Sequence, residues 1–258
     1  MISPQAHVHP EASVGLNTTI EPFAFIDKDV NIGENCWIGP NACIFEGARI
    51  GDGCRIFPGA QISCEPQDMK YNGEKTTTII GDNTDIREFV TLSRGTGDRM
   101  QTRIGSNCLL MSYVHIAHDC IVKNHAIISN AVQVAGHATI GEHTVIGGTA
   151  AVRQFVNIGA HVMIAGGSLV RKDIPPFVFA AREPLSYNGI NAIGLKRRGF
   201  TTNQLNELQE IYRIIYLSDL NITKAIAKIN EEYKESDFKD TIVNFIQESE
   251  RGIMKGMD

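Results

Sequence analysis

The stretch Ile104-Gly105-Ser106-Asn107-Cys108-Leu109-Leu110-Met111-Ser112-Tyr113-Val114-His115-Ile116-Ala117-His118-Asp119-Cys120-Ile121-Val122 decides the fold. An aliphatic residue returns every six positions, at Ile104, Leu110, Ile116 and Val122, and the first is followed by the turn residues Gly105, Ser106 and Asn107. A period of six matches neither the helical repeat of about 3.6 residues nor the simple alternation of a strand. It is a short strand plus a turn.

Working outward, the same phase holds at Val8, Val14, Ile20, Ile26, Ile32, Ile38, Ile44, Ile50, Ile56 and Ile62, then at Ile80, Ile86 and Leu92. Beyond the quoted stretch it runs through Ile128, Val134, Ile140, Ile146, Val152, Ile158 and Ile164 to Val170. The spacing predicts a mainly β chain wound into a triangular prism, one hexad to a side and about 18 residues to a coil, with strands stacked roughly 4.8 Å apart. The aliphatic residue at hexad position i and the small residue at i+4 fill the interior. Cys36, Cys54, Cys108 and Cys120 all fall at i+4, so packing explains them better than redox or metal chemistry. Position i+3 carries Asn35, Asn41, Gly53, Asn83, Gly95 and Asn107, types that tolerate the left-handed conformation of a tight corner.

The phase lapses over 65–79 and 93–103, polar segments that predict two loops thrown out of the prism, where substrate contacts are expected. Residues 1–188 are therefore expected to form the prism and 189–258 a small α-helical C-terminal domain. In the latter, Leu205, Leu208, Ile211, Tyr212, Ile215 and Tyr216 predict a helix face behind a cap at Thr202. Ile222, Ala225, Ile226, Ile229 and Tyr233 predict a second behind Asn221, and Phe238, Ile242, Phe245 and Ile246 a third. These helices would cover the last coil, whose core and strand edges would otherwise be open.

With 258 residues, 43% of them hydrophobic, and 24 Lys+Arg against 29 Asp+Glu for a net charge of −5, the chain has a globular composition unlike that of a basic nucleic-acid binder. No run approaches the roughly 18 apolar residues of a membrane span, and Met1-Ile2-Ser3-Pro4-Gln5-Ala6-His7 has no signal pattern, so a cytoplasmic protein with reduced cysteines is expected.

His118 and His115 flank the interior residue Ile116 and project outward, and His137 follows His118 about one coil later, so the two can line one cleft. His118 has an adjacent carboxylate, Asp119; spacing alone leaves it open as a general base or as one of a trio of metal ligands. His125, His143 and His161 repeat every 18 residues at i+3, which reads as a structural column of corner residues, and His137 occupies the same hexad position. A basic cluster of Arg171, Lys172, Arg182 and Lys196-Arg197-Arg198 suits either an anionic partner or a solvated face.

Taken with the hexads, His115-Ile116-Ala117-His118-Asp119-Cys120, Ala135-Gly136-His137, Gly159-Ala160-His161-Val162-Met163 and Gly194-Leu195-Lys196-Arg197-Arg198-Gly199-Phe200 resemble the acyl-carrier-protein-dependent UDP-N-acetylglucosamine O-acyltransferases. The resemblance extends to Gln67-Asp68-Met69-Lys70-Tyr71 and the helical tail. It implies a left-handed parallel β-helix, a homotrimer with sites between prisms, no cofactor and no metal. It also implies the first step of lipid A synthesis: transfer of a (3R)-3-hydroxyacyl chain from acyl carrier protein to the 3-hydroxyl of UDP-N-acetylglucosamine.

By motif, the resemblance gives His118 the role of general base, Asp119 that of its partner and Gly136 that of an oxyanion donor. It gives substrate binding to Asp68, Lys70, His115, His137, Gln154, Asn191 and Arg197, acyl-length gating to Gly166, and carrier-protein binding to Arg171, Lys172 and Arg198. One departure stands out: the family often has His where this chain has Arg153. Arginine stays charged and transfers no proton, so only a binding role survives there.

Three other readings compete. A UDP-3-O-acylglucosamine N-acyltransferase shares the hexads but usually adds an N-terminal domain, for which a hexad starting by Val8 leaves no room. A β-helical carbonic anhydrase would use the histidines as zinc ligands. A non-catalytic scaffold would show no turnover.

Overall fold

In the computed structural model, which describes residues 1–233 and 236–256, the chain is a left-handed parallel β-helix closed at one end by helices. Three flat faces hold nine, eight and ten strands. Most strands are two residues long, and each pairs in parallel with the strand one coil away, as in His7 with Phe25 and His115 with Gln133, 18 residues apart. Longer strands are unnecessary because every turn of the prism renews the ladder on the same face.

The step widens to 30 residues where Gln61 pairs with Thr91 and to 24 where Thr91 pairs with His115. The two loops thus insert two hexads and one hexad, which is why the aliphatic phase survives them in the numbering. They are shorter than the lapse in pattern suggests: strands Thr77–Ile80 and Gln101–Ile104 already belong to the prism, leaving 65–76 and 94–100 as loop. Thr77 points outward, whereas Thr78 and Thr102 take the inward place and are fully buried, Thr102 accepting the N–H of Asp119 at 2.8 Å.

Inside, Ile26, Ile38, Ile44, Ile56, Ile62, Leu110 and Ile116 are wholly buried, and Cys36, Cys54, Cys108 and Cys120 are at most 3% exposed. Asn35, Asn41, Gly53, Asn83 and Asn107 turn corners with φ of 56, 57, 65, 53 and 56°. Gly95 does not; it lies in the second loop, where a Cβ would strike the backbone of Gln101.

The tenth strand of the largest face, Ser186–Ile190, runs antiparallel to Val178–Ala181, so the prism's sheet continues two residues past the expected division at 188. Four helices follow: α1 (Ala192–Arg197), α2 (Thr202–Tyr216), α3 (Ile222–Glu232) and α4 (Asp237–Glu248). Thr201, not Thr202, caps α2, because Gln204 completes a capping box with it. Asn221 caps α3 as the pattern predicts. Short α1 had no apolar periodicity to betray it; Asn191 caps it. Tyr212 of α2 is fully buried, its hydroxyl on the carbonyl of Pro176, which seats the helices on the final coil. Among the described residues no helix is long and apolar enough to cross a membrane.

Candidate active site

At the corner between the nine-stranded and eight-stranded faces, His118 precedes Asp119, which turns the corner with φ of 59°. That conformation aims the Asp119 carboxylate back beneath its neighbour, and Oδ2 lies 2.8 Å from Nδ1 of His118. Asp119 is completely buried. The second loop makes this tolerable: Oδ1 accepts from the backbone N–H groups of Thr96 (3.0 Å) and Arg99 (3.2 Å), and Oδ2 accepts from the Thr96 hydroxyl (2.6 Å). Burial by itself would raise the pKa of Asp119, but these bonds and that to His118 outweigh it and hold the group below the usual carboxylate value. An ionised carboxylate at Nδ1 fixes the ring so that Nε2 is the nitrogen presented to a substrate.

His118 keeps 13% side-chain exposure, and its Nε2 is the ring nitrogen that Asp119 leaves unengaged. From the first loop, Asp68 Oδ2 comes within 3.9 Å of that nitrogen, and Asp68 Oδ1 accepts the backbone N–H of Lys70 at 3.0 Å. The Lys70 side chain is exposed. One coil on, a Cβ at Gly136 would lie 2.8 Å from Cε1 and 2.9 Å from Nε2 of His118. Only glycine fits there. The ladder uses the N–H groups of Ala135 and His137 but leaves that of Gly136 without an acceptor among the described residues.

His137 meets His118 edge to face, with centroids 5.1 Å apart, and stacks on Phe155 at 4.4 Å. Its Nδ1 is 3.0 Å from Asp98 Oδ2 but out of line for a hydrogen bond. His115 bonds Thr91 Oγ1 through Nδ1 at 2.7 Å, and burial, then the nearby His118, lowers its pKa. Gln154 is exposed two residues beyond Val152, at the hexad position of His118 and Gly136.

Within the chain the structure thus gathers His118, Asp119, Gly136, His137, His115 and the first-loop pair at one corner. Other predicted residues stand elsewhere. Asn191 is buried and structurally engaged, accepting from Gly194 N and donating to the carbonyl of His161, and Arg198 donates to the carbonyl of His143. Both belong to the next corner, and Arg197 is exposed in the last turn of α1 beside them. Gly166 lies at the third corner, where its Cβ would come 3.1 Å from the carbonyl oxygen of Gly148. Arg171 and Lys172 line a groove of about 430 Å³ with Arg182, Leu185, Met254 and Lys255. Arg198 is absent from it.

Donor atoms of His118, Asp119 and His137 lie within 4.8 Å of one another, a spacing a metal could bridge. Yet the carboxylate already accepts four hydrogen bonds, including the one from His118, so ligation would cost it that network. The arrangement suits proton transfer. Sequence reading missed Thr96 and Arg99, which hold Asp119; the loop's position one coil before Asp119 was the available signal.

The C-terminal part, residues 173–254, matches the model for domain 2 of the UDP N-acetylglucosamine O-acyltransferases, and residues 29–64 and 101–136 match bacterial transferase hexapeptide repeats. An acyl-[acyl-carrier-protein]--UDP-N-acetylglucosamine O-acyltransferase from Polynucleobacter asymbioticus is 53% identical over 204 residues, 76% of this chain and 77% of that one. Its counterpart in Chlorobaculum parvum is 51% identical over 195 residues, 75% of this chain and 74% of that one. The crystal structure of a UDP-N-acetylglucosamine acyltransferase from Bacteroides fragilis 9343 is similar with a TM-score of 0.97 and 47% identity, covering 99% of this chain and all of that one.

Proposed function

Because the chain belongs to the UDP-N-acetylglucosamine O-acyltransferase family and is therefore an acyltransferase, we propose that it takes the first step of lipid A synthesis. It moves a (3R)-3-hydroxyacyl chain from the thioester of acyl carrier protein to the 3-hydroxyl of UDP-N-acetylglucosamine, in the cytoplasm. The observation that carries the mechanism is the bond from His118 Nδ1 to the buried, ionised Asp119.

His118 Nε2 accepts the proton of the sugar hydroxyl as its oxygen attacks the thioester carbonyl. Asp119 stabilises the imidazolium. The unspent N–H of Gly136 faces the oxyanion that develops, and the absence of a side chain allows the close approach. Collapse of the tetrahedral adduct forms the ester, breaks the C–S bond and returns the proton from His118 to the departing thiolate.

Asp68, Lys70, His115 and His137 bind sugar and acyl groups beside His118. Gln154, Asn191 and Arg197 bind the nucleotide. Because Asn191 and Arg197 occupy a different corner from His118 in one protomer, this division is met by a homotrimer, with each site shared between prisms. Gly166 opens the acyl groove, and Arg171, Lys172 and Arg198 receive the acidic carrier protein.

Mass spectrometry of UDP-N-acetylglucosamine incubated with a panel of 3-hydroxyacyl carrier proteins tests the reading. A mass gain that persists with chelator and vanishes in His118→Ala is the expected result, and it also reports chain length. No gain with any donor would overturn the proposal; loss on chelation would return the zinc reading.

A further inference from the structure

His137 has no hydrogen bond to either ring nitrogen among the described residues, whereas His118 is fixed by Asp119. What holds the His137 plane is a stack. The Phe155 ring lies 4.4 Å from it at an interplanar angle of 8°, with Phe155 itself 42% exposed. Over the same phenyl ring sits the guanidinium of Arg251, with Cζ 5.2 Å from the centroid.

Arg251 arrives from the far end of the chain. Buried Asp173 ties down the segment on both sides of it: its carboxylate accepts from Ser249 Oγ at 2.7 Å and from Asn157 N at 2.8 Å, its N–H donates to Gly252 O, and its carbonyl accepts from Met254 N at 2.9 Å. We propose that Phe155 and Arg251 are positioning residues for the acyl-transfer site, a C-terminal strap that clamps Phe155 and thereby fixes the plane of His137 against His118. The inference rests on the acyl-transfer reading above.

The test is a double-mutant cycle with Phe155→Ala, Arg251→Ala and the double variant, with Phe155→Tyr as the conservative control. Phe155→Ala is expected to lower kcat about tenfold, the scale of a slightly misaligned reacting group, and Arg251→Ala about threefold. The double variant should be no worse than Phe155→Ala, since Arg251 acts through the ring, and Phe155→Tyr should restore kcat. Histidine-labelled NMR gives a readout independent of turnover: the His137 ring protons should lose their ring-current shift in Phe155→Ala and move in Arg251→Ala.

Multiplicative losses in the double variant, an unaltered kcat in Phe155→Ala, or His137 shifts indifferent to both substitutions would overturn the proposal. If Phe155→Ala fails to fold, Arg251→Ala and Phe155→Tyr decide by the same two readouts. An inactive wild type with the expected His137 shifts would instead count against the acyl-transfer reading alone.

Discussion

Two corners of the prism carry histidines, and they are put to different uses. At one, His125, His143 and His161 stack face to face at 4.5 and 4.9 Å, and the column continues into Phe177 at 5.5 Å. At the other, His118 and His137 meet edge to face beside a buried carboxylate. The backbone path is the same at both. What differs is an insertion: the second loop brings Thr96 and Arg99 over Asp119, and a charge that could not otherwise stay buried becomes a fixed partner for an imidazole. Beside the stacked column stands Arg198, and burial together with that cation favours the neutral rings of His143 and His161. Hexads make the corners; loops make one of them chemical.

The sharpest separation of the two corners is His118→Ala against His125→Ala. The first should lower kcat about 10²–10⁴-fold with the unfolding midpoint retained, and the second should leave kcat within about twofold. Comparable losses in steady-state turnover would erase the distinction. Gly136→Ala comes next. Its methyl would press on Cε1 and Nε2 of His118 at 2.8 and 2.9 Å, so the ring must turn away from Asp119, at an expected cost of about 10–10²-fold in kcat. A variant with wild-type turnover would show that His118 does not need its present orientation.

Asp119→Asn probes the carboxylate itself. The folded pKa of Asp119 lies below its ordinary value of 3.8, so its charge contributes stability that is whole above that value and lost as pH falls through the folded one. The variant should therefore unfold with a shallower acid limb below about pH 4, along with a kcat reduced about tenfold or more. Identical acid limbs by circular dichroism would mean that the carboxylate is not held ionised by its loop.

Most of the fold was legible because the aliphatic phase is redundant and the insertions are whole numbers of hexads; even Ile80 and Ile104, on the far sides of the loops, stay in register with Ile62. Helix caps were readable to within a residue, as at Thr201. The site was legible where chemistry sits in neighbouring positions, as in His118-Asp119. It was not legible where a partner acts through backbone N–H groups, as Thr96 and Arg99 do, because any residue type has one. Nor could spacing foresee Arg251 over Phe155, a contact made by the tail through Asp173. The resemblance marked Asn191 as a binding residue, and its cap on α1 and bond to His161 O arise from tertiary placement.

The smallest expected effect tests the stacked histidine column. Burial, then Arg198 and His143, push the pKa of His161 down to about 4 from 6.5. A histidine kept neutral in the fold adds stability that is complete above the unfolded value and is lost as pH falls from about 6.5 through about 4, because the unfolded chain takes up the proton first. Phenylalanine is the natural replacement, since the column already ends in the Phe177 ring, and the bond from Asn191 uses only the His161 carbonyl. His161→Phe should therefore flatten the dependence of the unfolding midpoint on pH in that window while leaving kcat nearly unchanged. A midpoint that still falls as steeply between pH 6.5 and 4 would place the titrating group elsewhere, and a large loss of kcat would mean that the His161 ring itself serves the site to which Asn191 and Arg197 belong.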